Sequence, residues 1–151
     1  MALVHRRRIL AVLAAGLICG PSHAGETSTV IEMAVFKSPT CGCCTKWVEY
    51  MQRNGFKIDV YDQSDLTAIK SYYGVTQSLA SCHTAVVDGY VIEGHVPAAD
   101  VRRLLEERPA VRGLTAPGMP QFSPGMRSET PRDYDVLSFD AAGNVEVYSS
   151  Y

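Results

Sequence analysis

The sequence predicts one α/β domain, a central sheet with helices on both faces. Between residues 30 and 73, β-branched runs alternate with amphipathic runs, as in a chain that passes between strand and helix. An Asp88-Gly89 pair joins two β-rich runs, which is a strong signal for a tight hairpin. The composition also fits a single globular domain, with 151 residues, 46% hydrophobic and 20% charged.

Each predicted element depends on a local pattern. Strands are predicted where β-branched and apolar residues dominate, and helices where apolar residues recur every three or four positions. Ser64 is expected to cap the second helix, and Pro97 to open the third. The predicted elements are strand 30–37, helix 43–54, strand 56–61, helix 65–73, strands 84–87 and 90–93, and a helix that begins at Pro97 and ends by Pro109. This order, β-α-β-α-β-β-α, is the thioredoxin-like arrangement.

The residues beyond this unit have a different character. Proline and glycine are frequent in residues 110–132, which leaves little room for regular structure. A closing hairpin is predicted from strands 134–139 and 145–148. We therefore expect a thioredoxin-like domain at residues 25–109 and an irregular C-terminal extension at residues 110–151 that ends in a β-hairpin.

The first 24 residues have the features of a secretory signal peptide. A basic start, an apolar run and small residues precede an expected cleavage site near Gly25. The apolar run is shorter than the roughly 20 residues that cross a bilayer, so no permanent membrane anchor is predicted. Two variants stay open: the Arg6-Arg7-Arg8 run partly resembles a twin-arginine signal, and Cys19 could be a lipoprotein site. In each case we expect an exported, periplasmic protein.

The charge balance excludes one class of partner. Fourteen basic and 16 acidic residues give a net charge of −2, which supplies no cationic field for a phosphate backbone. Nucleic acid is therefore not an expected partner. After removal of the signal peptide, four cysteines remain in a compartment where idle thiols tend to oxidise: Cys41, Cys43, Cys44 and Cys82.

Three of these cysteines lie at the start of the first predicted helix, in the motif Cys41-Gly42-Cys43-Cys44. Free backbone N–H groups and the helix dipole favour thiolates there. Cys41 and Cys44 alone would form a redox C-x-x-C pair, but a third thiol beside them invites mispairing. Metal binding explains the surplus better. Because Cys43 points away from the face shared by Cys41 and Cys44, the thiolates could bridge several ions.

The second motif, Ser81-Cys82-His83-Thr84, comes immediately before the hairpin. In thioredoxin-like folds a cis-proline loop touches the active-site cysteines at this position, and His83 stands where that proline would be. We therefore expect Cys82 and His83 to lie near Cys41. His95 has no cysteine close to it in the sequence and is expected to be a surface or structural residue.

Two Pro-Gly-Met units add soft donors to the set. Thioethers from Met119 or Met126, with four thiolates and one imidazole, select Cu(I) over hard cations, while cysteine and histidine alone leave zinc open. Four thiolates carry four negative charges, which about four sulfur-bridged Cu(I) ions would neutralise. A multinuclear copper site is therefore the favoured hypothesis.

Taken together, the motifs C-G-C-C, S-C-H-T and the two P-G-M units resemble those of the CopG-type family of periplasmic copper-resistance proteins, long catalogued as a domain of unknown function. The resemblance spans roughly residues 33–139. It implies a thioredoxin-like domain, an extension that helps to bind metal, a copper cluster beside the C-x-C-C motif, and interconversion of Cu(I) and Cu(II). The metal ligands that it implies are Cys41, Cys43, Cys44, Cys82 and His83, with Met119 and Met126 both matching the family's pattern.

Three functions stay open at this point. The first is a copper-resistance protein that holds several copper ions and interconverts Cu(I) and Cu(II). The second is a passive carrier that hands Cu(I) to a periplasmic copper efflux system. The third is a metal-free thiol-disulfide oxidoreductase in which Cys41 attacks a partner and Cys44 resolves the mixed disulfide. A monomer is expected in each case.

Overall fold

One mixed sheet with three helices forms the protein in a computed structural model that describes residues 30–151. The predicted signal peptide, residues 1–24, lies outside the described residues. The elements in chain order are β1 (Ile31–Lys37), α1 (Gly42–Arg53), β2 (Phe56–Asp62), α2 (Thr67–Tyr72), β3 (His83–Val87), β4 (Tyr90–Glu93), α3 (Ala98–Glu107), β5 (Gly113–Thr115), β6 (Asp135–Phe139) and β7 (Val145–Ser150). The predicted α/β class is confirmed. The first seven elements follow the predicted order, while the thioredoxin-like assignment stays a prediction.

The seven strands lie in the order β2-β1-β3-β4-β5-β6-β7. Strand β1 pairs in parallel with β2, and β3 runs antiparallel to both β1 and β4. Strand β5 pairs in parallel with β4, and β6 and β7 add an antiparallel hairpin at the edge. The C-terminal hairpin therefore continues the same sheet. Its division from the preceding domain near residue 110 stays a prediction.

Strand β5 was not predicted, because its three residues lie in the segment that was expected to be irregular. Its first residue, Gly113, lies so close to the Val91 carbonyl that an added Cβ would overlap it. Glycine therefore permits β5 to approach β4 at this point.

Helix α1 packs one apolar face against the sheet. Its fully buried Trp47 donates a hydrogen bond from Nε1 to the Val96 carbonyl at 2.9 Å, which fixes the helix beside the β4–α3 connection. The helix begins directly after Cys41, and Gly55, with φ of 82°, follows its C-terminal cap. The cysteine motif is thus held on a rigid element.

Helix α2 begins later than predicted, and Ser64 does not cap it. Its N-terminal cap position is Leu66, and the Thr67 N–H donates instead to the Asp65 carboxylate at 2.8 Å. Among residues 30–151, no helix has both the length and the apolar character needed to span a membrane.

The close approach at Gly113 predicts the effect of a small substitution. Gly113→Ala should lower the free energy of unfolding by about 1–3 kcal/mol, because the new methyl group would meet backbone that has little freedom to move. Gly42→Ala is the matched control, since a Cβ there meets nothing within 4 Å. Denaturant unfolding of both variants measures the difference. Equal stabilities would contradict the proposed role of Gly113.

Candidate metal centre

Four cysteines gather at one end of the sheet. The sulfur atoms of Cys41, Cys43, Cys44 and Cys82 all lie within 4.8 Å of one another. Cys44 is buried and the other three are half-buried. The structure therefore brings together all four predicted cysteine ligands, while their role as ligands stays a prediction.

The strand pairing explains this convergence. Strands β1 and β3 are antiparallel, with Lys37 at the end of β1 opposite His83 at the start of β3. The chain that leaves β1 toward α1 therefore passes beside the chain that enters β3. As a result, Cys44 Sγ lies 3.8 Å from the carbonyl oxygen of Cys82.

Two of the cysteines are joined in a disulfide. Cys41 and Cys44 form the bond, whereas Cys43 and Cys82 are free thiols. Cys43 Sγ lies 3.5 Å from Cys41 Sγ. Two electrons and two protons would convert the disulfide to two thiols and complete a four-thiol pocket. Reduction would thus raise the number of thiols at the site from two to four.

The predicted ligand His83 follows Cys82 in the chain and is fully buried. Its Nδ1 is 3.4 Å from Cys82 Sγ, and its ring packs against Trp47 with a centroid separation of 4.4 Å. Within residues 30–151 its Nε2 has no hydrogen-bond partner. Burial holds the pKa of His83 well below its usual range, and nearby His95 and lysine side chains act in the same direction. The ring is therefore neutral at pH 7, the form that binds metal.

His95 also lies at the site: of the two expectations, a surface or a structural residue, its burial contradicts the first. It is fully buried, and its Nε2 lies 3.0 Å from Cys82 Sγ. Its Nδ1 is 2.6 Å from the Pro124 carbonyl oxygen, which can only accept a hydrogen bond. The proton therefore belongs on Nδ1, and the Nε2 lone pair faces Cys82. Histidine ligands of metals are commonly held by such a hydrogen bond to a backbone carbonyl.

The candidate ligands form two sets that share Cys82. We call Cys41, Cys43, Cys44 and Cys82 the sulfur group. We call Cys82, His83 and His95, whose ligand atoms lie within 4.8 Å of one another, the imidazole group.

The two Pro-Gly-Met turns pack against the segments that carry the cysteines. The first turn contacts the segment before Cys82, since Gly118 N–H donates to the Ala80 carbonyl at 3.0 Å. The second lies on α1, because a Cβ at Gly125 would come within 3.0 Å of the Cys43 carbonyl oxygen. Met119 is exposed and Met126 is half-buried. Both predicted methionines therefore lie in turns that contact the cysteine-bearing segments, while their role as ligands stays a prediction.

The fold and the site define a class: an α/β domain that gathers four cysteines and two histidines in a pocket suited to a soft metal ion. A family model described as a protein of unknown function, DUF411, matches residues 79–126. Two solved structures, forms 1 and 2 of copper resistance protein CopG, are each 41% identical to this chain with a TM-score of 0.75. Each alignment covers 81% of this chain and 98% of the solved one. The chain belongs to the CopG-type copper-resistance family. No match is found among curated proteins.

The free thiol of Cys82 should be slow to react. Burial, with Cys43 nearby, raises the pKa of Cys82 to about 12. A raised pKa keeps the thiol protonated, so little reactive thiolate is present near neutral pH. In metal-free protein with the disulfide intact, we expect the iodoacetamide alkylation rate at Cys82 to keep rising with pH up to about pH 11. Mass spectrometry of the alkylated peptide measures this rate, with Cys82→Ser as the assignment control. A plateau near the ordinary cysteine pKa of about 8.5 would contradict the expectation.

Proposed function

We propose that the protein is a periplasmic copper-resistance protein that holds several copper ions and interconverts Cu(I) and Cu(II). The observation that carries the proposal is the sharing of Cys82 between the sulfur group and the imidazole group. As a thiolate, Cys82 would help to hold copper in both groups. Cys41, Cys43 and Cys44 would supply the other sulfur ligands.

The chemistry of the donors supports copper. Thiolates favour Cu(I), whereas imidazole nitrogens from His83 and His95 also suit Cu(II). Copper would supply one-electron redox chemistry to the pocket. The residues of this chain would hold it through sulfur and nitrogen atoms and exclude water by burial of both histidines.

The disulfide fits into this function as a state that precedes full loading. While Cys41 and Cys44 are joined, two thiols and two imidazoles are available. A dithiol reductant would convert the disulfide to two thiols and become a disulfide itself, which doubles the number of sulfur ligands. Loading of several ions would therefore follow reduction.

The C-terminal extension and the N-terminal segment would have separate roles in this function. The extension would contribute thioethers from Met119 and Met126, since its turns contact the cysteine-bearing segments. Residues 1–24 would direct export to the periplasm. The exported protein would be a monomer. A copper efflux system there would be the natural recipient of released Cu(I).

Anaerobic titration tests the number of ions. Fully reduced protein should bind more than one Cu(I) per chain, and the oxidised protein fewer, because the disulfide removes two ligands. Cys43→Ser should lower the stoichiometry of the reduced protein. Saturation of reduced wild-type protein at one ion would contradict a multinuclear site.

Met126→Leu should lower Cu(I) affinity, whereas Met51→Leu, in the buried core, is the matched control without effect.

Redox cycling separates the proposed function from passive carriage. Copper-loaded protein should show a reversible colour change and a reversible Cu(II) paramagnetic resonance signal when oxidant and reductant are added in turn. His95→Ala should change the wild-type signal, because it removes one of the two imidazoles, the ligands that accommodate Cu(II) best in this set. A loaded protein that shows no redox response would indicate a Cu(I) carrier.

A further inference from the structure

A buried carboxylate lies beside the pocket but is not among the candidate ligands. Glu93 ends strand β4 and is fully buried. One carboxylate oxygen accepts a hydrogen bond from the Ser81 N–H at 2.6 Å, and the other accepts one from the Thr84 hydroxyl at 2.7 Å. The two residues between these donors are Cys82 and His83. A single side chain therefore holds both ends of the segment that carries two candidate ligands.

Lys70 closes the same network from helix α2. Its ammonium group donates to Glu93 Oε1 at 2.5 Å and to Thr84 Oγ1 at 3.1 Å. The carboxylate is thus paired with a cation and with two further donors. Buried charges are tolerated when they are paired and hydrogen-bonded in this way. The network ties α2, β3 and β4 to the segment before β3.

Gly94, the residue after Glu93, adds a third hydrogen bond to the segment from Ser81 to Thr84. Gly94 N–H donates to the His83 carbonyl at 3.0 Å. Gly94 has a φ of 73°, and a Cβ there would overlap the Ser81 side chain. Residues Glu93 and Gly94 together therefore define the backbone path from Ser81 to Thr84.

We propose that Glu93 is a positioning residue for the copper site, acting through the backbone of Ser81 to Thr84. This inference rests on the proposed copper function. The orientation of that backbone determines where Cys82 Sγ lies relative to His95 Nε2, 3.0 Å away. Without the carboxylate, the Ser81 N–H and the Lys70 ammonium lose their shared acceptor, and the segment is free to move. The side chains of Cys82 and His83 then no longer hold the geometry that both donor groups require.

A second buried carboxylate provides the matched control. Asp100 is also nearly fully buried, and it accepts hydrogen bonds from Ser149 at 2.6 Å and from Tyr151 at 2.8 Å. Its bonds tie helix α3 to the C-terminal strand and do not involve the segment before β3. Loss of stability without loss of positioning is therefore the expected effect of Asp100→Asn.

Hydrogen exchange on metal-free protein tests the positioning directly. Glu93→Gln keeps the size of the side chain but has one acceptor oxygen where the carboxylate has two. We expect the Ser81 amide to exchange at least about tenfold faster in Glu93→Gln, as loss of one charge-assisted hydrogen bond gives, and at the wild-type rate in Asp100→Asn. Equal Ser81 rates in wild type and Glu93→Gln would overturn the proposal.

Cu(I) affinity, measured by competition with a chromophoric chelator, tests the consequence for the site. Glu93→Gln should bind Cu(I) about 10–100-fold more weakly, the usual effect of removing a residue that orients a metal ligand, with Asp100→Asn within about twofold of wild type. An equal loss in both variants would mean that Glu93 acts through general stability, which would overturn the proposal.

A second pair of variants decides the question if Glu93→Gln does not fold. Thr84→Val removes the hydroxyl that binds Glu93, and Thr84→Ser retains it. Weaker Cu(I) binding in Thr84→Val with wild-type binding in Thr84→Ser supports the proposal, and equal binding in both overturns it. If wild-type protein binds no Cu(I), the copper function fails, while hydrogen exchange at Ser81 still decides whether Glu93 fixes the segment.

Discussion

The antiparallel pairing of β3 with both of its neighbours is the constraint on which the pocket depends. Lys37 lies opposite His83 on one side, and Thr84 lies opposite Glu93 on the other. Antiparallel neighbours end where the strand between them begins. The chain leaving β1 therefore brings the C-x-C-C motif to Cys82 from one side, and the chain leaving β4 brings His95 from the other. Cys82 lies directly before β3 and His95 lies two residues after β4, while Cys43 and Cys44 lie in the first turn of α1.

Much of this arrangement could be predicted from local patterns. The order of the first seven elements, the cysteines at the start of α1 and the position of Cys82 before the hairpin follow from periodicity and turn residues. His95 was missed because proximity was judged by distance along the chain. The two-residue turn at Asp88-Gly89 already fixes the hairpin register, with Val87 opposite Tyr90. Counting outward from that pair places Cys82 opposite His95, so the signal was present in the sequence.

Other features could not be predicted, because their causes lie in tertiary contacts. Strand β5 is too short to carry a pattern and exists because β4 offers it a backbone partner. The role of Glu93 depends on donors from three separate segments, since Lys70, Ser81 and Thr84 meet its carboxylate only in the folded chain. A single glutamate at the end of a strand gives no sequence signal for such a network.

The charge of the partly buried pocket would stay close to zero both before and after copper binds. In the metal-free state Cys41 and Cys44 share a disulfide, both histidines are neutral, and Cys82 keeps its proton, so these groups add no net charge to a dry environment. The Glu93 carboxylate is balanced by Lys70 beside it. After reduction of the disulfide, each thiol would lose a proton to become a thiolate and each Cu(I) would bring one positive charge, so about one Cu(I) per thiolate would keep the pocket close to neutral. Replacement of thiol protons by monovalent soft cations would therefore carry a low electrostatic cost in the reduced pocket.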